Sequence, residues 1–146
     1  MGEGIAATRS APWRIGALTA IVLLLSGCGS PTPPVFTEQT DPQTDEDRIP
    51  NGTPDGIDPS STRFVGSHEG ADFYLGVSTQ PDMRGGPCII MSGRAGGGTG
   101  CSEHGQFTVG WQGFGSARYL TPATTDDALE DGWLRISDNL VVKPVG

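Results

Sequence analysis

The residues with the most reactive chemistry are three cysteines, Cys28, Cys88 and Cys101, and the run Cys101-Ser102-Glu103-His104. A thiol, a carboxylate and an imidazole this close in sequence suit two kinds of site. As metal ligands, Cys88, Cys101 and His104 fit zinc, whose structural sites take four Cys or His ligands. His68 is the only other histidine, so the set is thin and no metal site is assigned. As a nucleophile and its base, Cys101 or Ser102 with His104 needs a recognisable motif around it. None is present, and no catalytic residue is assigned. A second cluster, Asp126, Asp127, Glu130 and Asp131, has the types to bind calcium or to act as acid and base on a glycan. The cluster more often is the solvated first turn of a helix, where negative charge suits the positive end of the helix dipole, and that reading is preferred. Asn51 to Asp58 carries oxygen ligands at alternate positions, but Thr62 stands where a calcium loop begun at Asn51 needs a glutamate. The stretch reads as turns, and no cofactor is expected.

Cys28 has a different setting. Arg9 and Arg14 form a basic start, Ile15 to Leu25 an apolar run, and small Ser26 and Gly27 precede the cysteine. This is the three-part organisation of a secretory signal. As a helix the run spans roughly 16 Å, at ~1.5 Å per residue. That is too short for a bilayer core, which needs ~20 apolar residues. Leu25-Ser26-Gly27-Cys28 resembles the bacterial lipoprotein signal: Leu, a small residue, Gly or Ala, then Cys. The resemblance implies a diacylglyceryl group on the Cys28 thiol, removal of residues 1–27, and a mature chain beginning at Cys28. It places the protein on the outer face of the cytoplasmic membrane, with the bilayer as its first partner. Two acyl chains suffice for stable anchoring, each buried CH₂ contributing ~0.8 kcal/mol.

Without residues 1–27, nine basic and seventeen acidic groups become seven and sixteen, and the net charge moves from −8 to −9. Phosphate backbones and anionic headgroups repel such a chain, so nucleic acid is excluded as a partner. The 23 glycines and few aromatic residues indicate many turns and a modest core.

Residues 28–57 are rich in Pro, Thr and acidic groups; Val35, Phe36, Ile49 and Ile57 are their only sizeable apolar side chains. So little apolar surface does not offset the entropy of ordering the chain, and a disordered tether is predicted. Counted to Thr62, such a coil spans roughly 30–35 Å, or about 105 Å as polyproline II. Residues 58–146 then form one small domain, near the size at which covalent staples become common.

The elements that must position the reactive groups are mostly strands. Asp58-Pro59 starts one helical turn, with Asp58 as cap and Pro59 in the first position. Arg63 to Ser67 and Ala71 to Val77 are strands joined by a Glu69-Gly70 turn; in the second, Ala71, Phe73, Leu75 and Val77 share one face. Pro87 to Ser92 carries Ile89, Ile90 and Met91 in a row, as a strand covered on both faces does. Arg94 to Gly100 reads as a flexible hairpin tip, Phe107 to Trp111 and Ser116 to Leu120 as strands, and Thr125 to Asp131 as a short helix. Trp133 to Ser137 and Leu140 to Val145 close a hairpin around Asp138-Asn139. The fold class is mainly β, with α+β as the alternative: a small antiparallel sheet or sandwich with one or two helical turns.

With Cys28 given to lipid, Cys88 and Cys101 remain as an even pair in an oxidising compartment. A hairpin between them brings the thiols together, and a disulfide of this loop size contributes ~3 kcal/mol in the chain-entropy description. Trp111, Phe114, Tyr119 and Trp133 are the candidates for a sugar- or peptide-binding face, although a core this small also needs aromatic residues.

The order Asp58-Pro59-Ser60, Val65 to Gly70, Phe73-Tyr74-Leu75-Gly76, Gly85 to Ile90 and Gly100-Cys101-Ser102 is similar to that of a group of small secreted or membrane-attached actinobacterial proteins. The resemblance implies a paired-cysteine domain and transfers no activity, substrate or catalytic residue. The functional expectation is a lipid-anchored, non-enzymatic envelope module that contacts an envelope protein or a cell-wall component. The alternatives are a cell-wall enzyme, an accessory subunit of one, or a spacer.

Overall fold

A computed structural model describes residues 34–93, 96–121, 129 and 131–146. The described residues form two four-stranded antiparallel sheets. The first holds β1 (Arg63–His68), β2 (Ala71–Val77), β3 (Pro87–Gly93) and β4 (Gly96–Cys101) in sequence order. The second holds β5 (Phe107–Trp111), β6 (Gly115–Tyr119), β8 (Leu140–Pro144) and β7 (Leu134–Ser137), in that order. Among the described residues the only helical pieces are single 3-10 turns at Thr37–Thr40, Pro59–Ser61 and Pro81–Met83. None is long and apolar enough to cross a membrane. The mainly β reading holds, and the α+β alternative finds no α-helix among the described residues. The short helix expected over Thr125 to Asp131 falls almost entirely outside the described residues.

Period-2 patterning accounts for the packing. Ala71, Phe73, Leu75, Ile89 and Met91 from the first sheet meet Ala117, Tyr119, Leu140 and Val142 from the second in one buried core. The β1–β2 connection fits Glu69 and Gly70, both with positive φ, at 50° and 77°. Two such residues make the turn whose twist matches a hairpin. At the start of the domain the Asp58 carboxylate accepts from the Ser60 N–H at 2.9 Å, the cap expected of it.

Two expectations are corrected. The first concerns the tether. From residue 34 onward the chain is a strap packed on the sandwich, within the same compact unit as the strands. Phe36 is 1 % exposed and lies in the core between the sheets. Ile49 and Ile57 cover the outer face of the first sheet against Tyr74, Cys88 and Ile90, which is why β3 is buried on both faces. A few apolar side chains suffice to order this stretch because each meets a prepared slot. Polar groups complete the attachment. The Asp47 carboxylate accepts from the Thr44 and Phe64 N–H groups at 2.6 and 2.8 Å, and the Arg63 guanidinium donates to the Asp41 carbonyl at 2.8 Å.

The second correction concerns the glycine run. Gly96–Cys101 is a strand, paired with β3 from Gly93↔Gly96 to Cys88↔Cys101. Side chains are missing there because β5 crosses close above it. A Cβ on Gly98 would overlap the Trp111 indole, and one on Gly100 would overlap Val109. Glycine lets the two sheets approach at this edge.

Candidate functional site

Register places the two cysteines. Cys88 and Cys101 are direct cross-strand partners with Cα atoms 4.0 Å apart, joined by a disulfide across 13 residues of chain. That pairing removes both thiols from the zinc and nucleophile alternatives. Ser102 and His104 do not form a catalytic pair either. The Ser102 hydroxyl donates to the His104 carbonyl at 3.2 Å, and the imidazole, its side chain 82 % exposed, lies 3.9 Å from the Glu103 carboxylate. Of the acidic cluster, Asp126, Asp127 and Glu130 lie outside the described residues and Asp131 is exposed. Cys28 also lies outside them. Among the described residues no three His, Cys, Asp or Glu side chains converge as metal ligands.

The four aromatic candidates separate. Tyr119 is 3 % exposed, stacks on Phe107 at 5.7 Å between ring centroids, and donates its hydroxyl to the Val35 carbonyl at 2.8 Å. Burial, with the negative Glu38 nearby, pushes its phenol up to about 12. It is a core residue that holds the strap and offers no binding face. Trp133 is half-buried and carries the Arg118 guanidinium 4.2 Å from its ring centroid. Arg118 alternates with inward Ala117 and Tyr119, so this pair belongs to the outer face of the second sheet.

Trp111 and Phe114 come together. Both pack on Phe73, at centroid distances of 6.4 and 5.3 Å, and both are half-buried. β5 delivers Trp111 to the inner face through the alternation Phe107, Val109, Trp111, and the turn into β6 returns Phe114 beside it. At this pole the sheets part, and a cleft of about 760 Å³ opens onto the core. Trp111, Phe114, Met91 and Ala71 line it from within, the Glu69-Gly70 and Gln112-Gly113 turns form its rim, and Gly96 and Gly97 form one wall. The volume falls within the range of small-ligand pockets, which are apolar with a few polar groups at the edge. Trp111 was visible in the strand alternation, whereas the opening of the sandwich at that pole was not.

Sequence reasoning missed Asn139. It stands in the expected hairpin turn beside Asp138, yet it is fully buried. Its side-chain amide donates to the Leu120 carbonyl at 2.7 Å, and its side-chain oxygen accepts from the Thr37 N–H at 2.8 Å. Asn139 thus clips the strap to the second sheet, a role with no signal in its immediate neighbours. No protein-family model, curated protein or solved structure gives a significant match to this chain.

Proposed function

We propose that this chain is a membrane-anchored module of the cell envelope that captures a ligand in the cleft floored by Trp111 and Phe114. The cleft carries the reading. It leaves two large aromatic side chains half-open to solvent above buried Met91 in a domain short of apolar residues, although closing the sheets there would bury them. Anchoring rests on Leu25-Ser26-Gly27-Cys28 behind the apolar run. The enzyme alternative asked for His104 or the acidic cluster in a concave site, and His104 lies outside the cleft.

The test uses the full-length protein in its native membrane. A photo-crosslinking amino acid at Gln112, on the rim, should give a discrete adduct that Trp111→Ala abolishes while thermal unfolding stays cooperative. An adduct unaffected by Trp111→Ala, or no adduct, overturns the cleft as a binding site. Intact mass of the purified native protein tests the anchor: acyl groups on Cys28 and a chain lacking residues 1–27 are expected.

A further inference from the structure

The two poles of the sandwich have different neighbours. Tyr119 pairs with Phe107 and Trp111 with Gly115, so the strap contact and the cleft lie at opposite ends of the β5–β6 hairpin. In the first sheet, Pro34 and Val35 share a groove with Arg63 and Val77, at the start of β1 and the end of β2. The Glu69-Gly70 turn, at the other ends of those strands, lines the cleft. The strap therefore joins the domain at the pole opposite the cleft, and its first described residue is Pro34.

Six peptide links separate Cys28 from Pro34. Even fully extended, they cover only about 20 Å, at ~3.3–3.6 Å per residue. Val35 cannot be drawn out to lengthen this leash without breaking the Tyr119 hydrogen bond and unseating Phe36. The strand β2 adds its seven residues, about 23 Å at ~3.3 Å each, between the two poles.

We propose that the strap pole, with Pro34 and Val35 on it and the Asp138-Asn139 turn beside it, is the membrane-facing surface, and that the cleft points away from the bilayer. This rests on the reading of Cys28 as lipidated. The domain stands on the lipid surface on a short leash, in contrast to the long-range search that a tether through residue 57 would give. The cleft then samples the envelope outward of the headgroups and does not take them as ligand.

The experiment uses the full mature protein, purified with its acyl groups, in phosphatidylcholine–phosphatidylglycerol vesicles bearing a headgroup spin label. A fluorescent amino acid is placed at Asp138 in one variant and at Gln112 in another, both exposed positions. Quenching should be several-fold stronger at position 138, and a long Gly/Ser insert after Gly29 should erase the difference. Equal or reversed quenching in protein that co-floats with the vesicles overturns the orientation alone. A difference that survives the insert overturns the leash as its cause. Protein that fails to co-float overturns the lipid anchor and the orientation with it.

Discussion

The Tyr119 hydroxyl donates to the Val35 carbonyl across 84 residues of chain, tying the start of the strap to the second sheet. Beside that bond Phe36 fills the space between the sheets. Phe36→Ala should lower stability by about 3–5 kcal/mol, as for other large core truncations. Urea unfolding followed by circular dichroism measures this. A loss within a few tenths of a kcal/mol would mean that residues 34–57 behave as a tether after all.

Tyr119→Phe should remove the hydroxyl with little change in packing. A loss of about 1 kcal/mol is expected for one hydrogen bond. The wild-type protein should show one phenol pushed up to about 12, read by ultraviolet absorbance, and the variant should lack it.

Asp47 makes stability depend on acid. Burial alone would raise its carboxyl, but the Thr44 and Phe64 N–H groups, the Thr44 hydroxyl and the Arg63 charge outweigh it and hold the group below its ordinary 3.8. A folded value lower than the unfolded one adds stability that is present above pH 3.8 and is lost as pH falls through the folded value. Asp47→Asn should therefore destabilise by about 1–3 kcal/mol at pH 7, by leaving the N–H groups poorly paired. The gap to wild type should narrow below pH 3.8. Chemical denaturation across pH checks both the size and the sign.

The disulfide should matter in proportion to the thin core. Replacing both Cys88 and Cys101 by alanine should lower stability by about 3 kcal/mol. The wild-type domain under reducing conditions should match the double variant in its urea midpoint. Native protein with thiols at 88 and 101 open to alkylation would contradict the bridge.

Gly98 and Trp111 should be coupled. Gly98→Ala places a methyl where the indole sits, and the overpacking should destabilise by about 1–3 kcal/mol. Combined with Trp111→Ala it should cost less than the sum of the single changes, because the clash disappears with the ring. Strict additivity would show that β5 does not press on β4 at that point.

These couplings mark how far the fold was legible. Strands β1, β2, β3, β5, β6 and β8 declare themselves by alternating or β-branched side chains, and the Glu69-Gly70 turn by the one residue type free to take positive φ. Strand β4 is silent because glycine has no hydropathy to alternate; its strand character is imposed by pairing with β3 and by Trp111 overhead. The strap is silent for a related reason. Val35, Phe36, Ile49 and Ile57 follow no period, and each is buried by a slot built from residues far along the chain. At the cleft, alternation placed Trp111 and Tyr119 on the inner face alike. It gave no sign that the sheets close around one and part beside the other.

Val35, Phe36 and Thr37 leave the ribosome well before Tyr119 and Asn139, yet those two residues hold them in place. During synthesis the strap from Pro34 therefore stays unclamped until the last hairpin exists. Locking of the domain is a late event in its biogenesis.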